Sequence, residues 1–202
     1  MNPSIIFTLV TVLLVFYACG PLFYDVRVNG YTGGKPVVSG KQVFVYTNEQ
    51  VGNPLLDDEV ANKAKKALVM KGYIPVDSLS DAEYVLVFNY SIDTGKSITY
   101  STSGYDLNIY TGQFETNTDV NTTTQFTRRL LLGLFEVKDF STSQRPKPIW
   151  FGDIVSSGSS SDLRRVIDFL IISGFDHFGE NTGEQKRHIV SPTDERIKKL
   201  NQ

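Results

Sequence analysis

The 202-residue chain has little of several residue types that carry chemistry: one cysteine, two histidines, one tryptophan and two methionines. A single cysteine excludes an internal disulfide framework and any cysteine-rich metal cage. Two histidines leave little room for histidine-based catalysis, and no recognisable triad order, P-loop or calcium-loop spacing is present. An excess of basic charge is also missing. Twenty Lys and Arg against 22 Asp and Glu give a net charge of -2, which argues against a nucleic-acid partner held by general basicity. What is there suffices to fold. A hydrophobic fraction of 41% supports one buried core, and the length suits one domain with at most a tail.

Charge is absent from the first 18 residues, and Ile5 to Ala18 is apolar apart from Thr8 and Thr11. That run has the length of a signal-peptide core and falls short of the ~20 residues of a membrane span. It stops at Ala18-Cys19-Gly20-Pro21. A small residue before cysteine at the end of such a run resembles the lipobox of bacterial lipoproteins, with Phe16 and Tyr17 standing where the pattern prefers Leu and a small residue. The resemblance implies that the Cys19 thiol carries a diacylglyceryl group, that residues 1–18 are removed, and that the new amino group is acylated. Each buried CH₂ of an acyl chain adds ~0.8 kcal/mol, so several chains anchor stably. Gly20 in place of Asp implies, by resemblance to enterobacterial sorting, an outer-membrane position facing the periplasm rather than inner-membrane retention. An uncleaved N-terminal anchor, and ordinary cleavage leaving Cys19 as a free thiol, are the competing readings.

Residues 19–40, with Gly30, Gly33, Gly34, Pro21 and Pro36, read as a lipid-anchored tether. Residues 41–179 read as one domain and 180–202 as a polar C-terminal tail, with Ile189-Val190 as a candidate short strand. Within the domain, Lys41 to Thr47 alternates like a strand. Asn53-Pro54 opens a helix that Gly72 closes, with acidic residues Asp57, Asp58 and Glu59 at its start and lysines towards its end, as the macrodipole favours. Leu56, Val60, Ala64, Ala67 and Leu68 form its apolar stripe, and its lysines are expected to lie on a solvated face. Strands follow at 73–76, 83–92, 126–137 and 149–156, with a loop at 139–148. A second helix begins after Ser160 or Ser161 and carries Leu163, Val166, Ile167, Leu170 and Ile171 inward. With no helix between residues 73 and 156, those strands are expected to pair antiparallel. The expected class is α+β: a mostly antiparallel sheet with two helices packed on one face and a long polar β-ribbon.

The ribbon is the segment 94–125, in which 17 of 32 residues are Ser, Thr, Asn or Gln, so it has β propensity but buries little. Tyr100, Tyr105 and Tyr110 are spaced through it and suit contacts with a protein or glycan partner. Other candidates have plainer explanations. His177 beside Asp176 resembles an oriented base but has no adjacent nucleophile. His188 falls in the tail. Ser156 to Ser161 resembles an anion cradle followed by Arg164 and Arg165, yet no basic residue lies inside the loop and helix capping accounts for it. Trp150 is expected in the core. No cofactor and no metal ligand set is expected.

In order, Leu56-Asp57, Ala67-Leu68, Lys71-Gly72-Tyr73, Ala82-Glu83 leading into Tyr84-Val85-Leu86-Val87, Arg129-Leu130 with Asp139, Ile149-Trp150-Phe151-Gly152 and Ser160-Ser161-Asp162-Leu163-Arg164 run through the chain. This succession, with the N-terminal cysteine, resembles bacterial lipoproteins of the domain of unknown function 4136 family over residues 41–179. Two departures are Glu83 where members usually carry Asp, and Phe178-Gly179 where the second helix commonly ends in Phe-Pro. The resemblance implies an α+β periplasmic lipoprotein domain and no catalytic residues. The expected function is a non-enzymatic binding or assembly module of the cell envelope, held to the membrane by its lipid anchor and engaging an envelope protein. The alternative is a hydrolase of cell-wall or lipid substrates, which would need a nucleophile, a base and an oxyanion site in one pocket.

Overall fold

The structure, a computed structural model, describes residues 23–47, 53–108 and 113–202. Among these, eight strands form one open, mixed, mostly antiparallel sheet in the order β3-β2-β4-β6-β7-β1-β8, with β5 paired to β6 off that path. The strands are β1 (Tyr24–Thr32), β2 (Gln42–Tyr46), β3 (Ile74–Val76), β4 (Tyr84–Ile92), β5 (Lys96–Asn108), β6 (Gln113–Glu136), β7 (Trp150–Gly158) and β8 (Lys186–Val190). Four helices are described: α1 (Pro54–Met70), α2 (Val137–Thr142), α3 (Ile167–Asp176) and α4 (Glu195–Asn201).

The centre of the sheet is β6, which pairs antiparallel with β4 on one side and β7 on the other. Leu130, Leu132 and Leu134 alternate along it and share one face with Leu86 and Phe88 of β4, Trp150 and Ile154 of β7, and Val26 and Val28 of β1. All of these are buried. Helix α3 lies across this face. It approaches closely because Gly174 has no side chain: a Cβ there would stand 2.9 Å from Ile154 Cγ1 and 3.3 Å from Leu132 Cδ1. Helix α1 packs against α3 and α4 and against β2 and β3.

Several expectations hold at the level of elements. Helix α1 starts where Asn53 accepts from the Leu56 amide (3.2 Å), with Pro54 in its first turn. It ends at Gly72, whose φ of 79° is the left-handed conformation only glycine adopts without cost. Trp150 is fully buried, donating from Nε1 to the Glu180 carbonyl (3.0 Å).

Others are corrected. Residues 24–32, expected in the tether, form β1, an interior strand between β7 and β8. Its period-2 pattern is plain in Val26 and Val28, both 0% exposed, while Arg27 between them is exposed. The glycine that suggested a linker serves close packing. A Cβ on Gly30 would meet the Glu180 carbonyl oxygen at 2.5 Å. Residues 180–202, expected as a tail with Ile189-Val190 a candidate short strand, supply β8 at the sheet edge, which contains that pair, and α4, which buries Ile197 and Leu200. Arg196 ties α4 inward through Asp176 (2.6 Å).

The loop expected at 139–148 begins as α2, and this helix lies on the sheet face opposite α3. Phe140 packs on Phe135 (5.6 Å between ring centroids) and Tyr46 (5.7 Å), both of opposite parity to the core row. The two-helix, one-face arrangement is therefore not what forms: the four helices of the described residues lie on both faces. Strands β4, β5, β6 and β7 pair antiparallel and the sheet is mostly antiparallel, as expected, but at one edge β2 runs parallel to both β3 and β4. Helix α1 supplies the crossover that parallel pairing requires. Asp162, rather than Ser160 or Ser161, caps the 3-10 turn Leu163–Arg165 that precedes α3.

The lysines of α1 are not all solvated. Lys63 is 7% exposed and donates to Glu59 (2.9 Å) and to Asp168 of α3 (2.6 Å). Burial alone would lower its pKa, but hydrogen bonds to Asp168 and Glu59 outweigh that and raise it. Glu59 is also bound by Arg164 (2.7 Å), and Asp168 by Asn201 (2.7 Å), so one charged cluster joins α1, α3 and α4.

The core row carries a direct stability test. Leu132→Ala removes a fully packed side chain under Gly174 and is expected to cost about 2–5 kcal/mol in unfolding free energy, read from urea denaturation midpoints.

Candidate functional site

One end of the sheet gathers three features. Register aligns Ile92 of β4, Arg128 of β6, Ser156 of β7 and Val26 of β1 in a single row. Beyond that row β1 begins, β4 leads out towards β5, and β6 arrives from the ribbon. The end of the domain where the chain enters is therefore also the base of the ribbon.

Arg128 has the parity of the leucine row, so its side chain enters the covered face and is only 2% exposed. Its Nη1 donates to the Ser160 carbonyl (3.1 Å) and its Nη2 to Ser156 Oγ (3.3 Å). Its Nε is buried without a hydrogen bond. Gly158 makes room for the guanidinium, because a Cβ there would stand 2.9 Å from Nη2. Among the described residues no carboxylate forms an ion pair with Arg128. Burial pulls its pKa below the usual guanidinium value, against weaker opposing effects of Tyr24 and Asp93. Its neighbour Arg129 shows the contrast: on the other face, exposed, it grips Asp153 through Nε and Nη2 at 2.7 and 2.6 Å.

Arg128 borders a cavity of about 580 Å³ lined also by Phe23, Tyr24, Arg165 and the serines of the 157–161 loop. The serine loop considered in the sequence is thus adjacent to basic groups, Arg128 from β6 as well as one from the following helix turn. Arg165 reaches the cavity, whereas Arg164 is drawn to Glu59. Parity with Leu130, Leu132 and Leu134 is the sequence signal that marks Arg128 as inward-facing.

A second cluster joins residues far apart in sequence. Pairing of β8 with β1 brings His188 Nε2 to 2.9 Å from His177 Nε2. One ring donates and the other accepts, so at least one is neutral. His177 Nδ1 lies 3.0 Å from Glu180 Oε2, and His188 Nδ1 lies 3.7 Å from Asp176 Oδ2. Neither histidine hydrogen-bonds a serine or cysteine among the described residues, and no group of three metal-ligating side chains that could hold an ion occurs among them.

Of the sequence candidates, Cys19 and Tyr110 lie outside the described residues. Tyr100 is 49% exposed on β5. Tyr105 falls at a β5 position paired with Thr116. Positions 100 and 105 differ in parity, so they belong to opposite faces of the strand.

The histidine pair generates a pH prediction. Burial, then the neighbouring His177 and more weakly Arg196, lower the His188 pKa, while Asp176 opposes them. As pH falls below about 6.5, the unfolded chain takes up a proton that the folded state resists. Stability present above that value is therefore lost on acidification. The thermal midpoint should fall between roughly pH 7 and pH 5, and His188→Gln should flatten that slope, as read by differential scanning calorimetry.

No family model and no curated protein matches the chain. Among solved structures, a PDZ domain protein from Parabacteroides distasonis is similar over 89% of this chain and 42% of its own, at 12% identity and a TM-score of 0.50. This chain thus spans less than half of that protein's length. PelC from Paraburkholderia phytofirmans, crystallised as a dodecamer, is similar in two crystal forms over 78% and 77% of this chain and 99% and 98% of its own, at 14% identity and TM-scores of 0.44 and 0.43. At 12% identity, the likeness to the PDZ domain protein concerns the fold alone.

Proposed function

We propose that this chain is a lipid-anchored, periplasm-facing domain of the bacterial cell envelope, of the domain of unknown function 4136 type, that works as a binding or assembly module and not as an enzyme. The carrying observation is the ribbon. β5 and the outer half of β6 pair in unbroken antiparallel register from Lys96↔Gln125 to Asn108↔Gln113. Thirteen residues of strand extend about 44 Å beyond the sheet. Hydroxyl pairs such as Thr99 with Thr122 (3.1 Å) cross between the strands, while Ile98, Tyr100 and Val120 are exposed. A two-stranded ribbon without a packed face is marginal in water, and a partner's surface or strand edge would supply what it lacks. That partner is an envelope protein.

The early start of β1 sharpens the anchoring. Tyr24 follows Cys19 by five residues, which reach at most ~18 Å, so an acylated Cys19 would hold this end of the sheet close to the membrane surface.

Two outcomes are expected. Replacing residues 97–124 by a short turn should remove the crosslink to the partner in native envelopes while leaving the thermal midpoint nearly unchanged; a shortened protein that keeps every crosslink defeats the ribbon reading. Cys19→Ser should lose the acyl mass and move the protein out of the membrane fraction. Retention of membrane binding at unchanged size would refute lipidation.

A further inference from the structure

We infer that the cavity beneath Arg128 is a phosphate-binding site, and that at the membrane its ligand is the phosphate of an anionic lipid headgroup. The phosphate site stands on the cavity itself. Its assignment to a lipid rests on the Cys19 anchor proposed above.

A buried guanidinium without a counter-ion is costly, and the charge is not lost because arginine does not deprotonate in proteins. Arg128 uses one donor on Nη1 and one on Nη2, which leaves a further N–H on each for a ligand. Arg165 lines the same cavity and has no ion-pair or hydrogen-bond partner among the described residues. The hydroxyls of Ser157, Ser159 and Ser161 likewise make no hydrogen bond among the described residues, although all three line the cavity. Two cations and several uncommitted hydroxyls around one space match a tetrahedral group with several acceptor oxygens better than a planar carboxylate.

Two carboxylates share the lining, and both are engaged. Asp25 Oδ2 accepts from Arg187 Nε (3.0 Å), and Asp162 Oδ1 accepts from the Arg164 amide (3.0 Å). By strand period the Asp25 side chain, next to Val26, belongs to the sheet face opposite Arg128. Phe23, 59% exposed, and Tyr24, stacked on Phe169 at 3.7 Å, give the cavity an apolar border suited to the glycerol end of a lipid. The cavity opens at the end of the sheet where the chain arrives from Cys19, within the ~18 Å that five residues can span.

The test uses the full chain purified in detergent micelles. Isothermal titration calorimetry with inorganic phosphate should show saturable one-site binding that chloride does not reproduce. Arg165→Gln, exposed and remote from the core, should weaken it about tenfold, and Arg128→Gln should abolish it. Lys65→Gln, on the far helix, should leave it unchanged. Because Arg128→Gln removes a buried group, the Arg165 variant decides the matter if the Arg128 variant fails to fold. Binding of phosphate no tighter than chloride, or an Arg165 variant indistinguishable from the native chain, overturns the site. Vesicles containing phosphatidylglycerol should displace phosphate, whereas pure phosphatidylcholine vesicles should not. Phosphate binding that no vesicle displaces overturns the lipid assignment and leaves a soluble phosphate as the ligand. Cys19→Ser should retain phosphate binding in micelles, so failure of the anchor and failure of the site are read separately.

Discussion

The leucine row of β6 is the constraint on which the rest of the molecule depends. Leu130, Leu132 and Leu134 lie between β4 and β7 and under α3. Period-2 geometry then decides every neighbour's side of the sheet. Val26, Val28, Ile154 and Leu86 must face the same way, and Arg129 and Asp153 the other. The close seat of α3, possible only because residue 174 is glycine, follows from the same row. Where the row ends, β6 continues as polar ribbon, so one uninterrupted strand carries both the core of the domain and its projecting arm.

Two buried cations show how differently the same fold treats charge. Lys63 is enclosed by Glu59 and Asp168, which are bound in turn by Arg164 and Asn201, so its burial fastens α1 to α3. Arg128 is buried as deeply but, among the described residues, receives only a carbonyl and a hydroxyl. A satisfied cluster serves the fold. An unsatisfied one beside an open cavity is what the proposed ligand site rests on, and it lies at the end of the sheet where β1 begins.

Much of the fold was legible from residue patterns. Helix α1 is announced by Asn53-Pro54 and Gly72, and β4 by the alternation from Tyr84 to Ile92. Two of the departures share one cause: glycine and charge in a segment do not imply exposure. Gly30 made β1 look like a linker, although the glycine serves a close approach to the Glu180 carbonyl. The charges after residue 180 make α4 look like a tail and leave only Ile189-Val190 of β8 legible, although an edge strand and a short helix need few buried positions. Here Val190, Ile197 and Leu200 are enough. The parallel pairing of β2 escaped notice because only the three-dimensional crossover of α1 reveals it.

Of the candidate site, the ribbon and the serine loop were visible as local composition, and Cys19 stood out as a residue in a distinctive setting. Local sequence determines such things because strand period, helix caps and apolar runs are properties of neighbours along the chain. The facing of Arg128 towards Ser156 and Ser160, and of His177 towards His188, belongs to the tertiary structure alone. Those contacts depend on which strands pair and in which register, and register is decided by burial of the whole leucine face at once, not by any segment on its own.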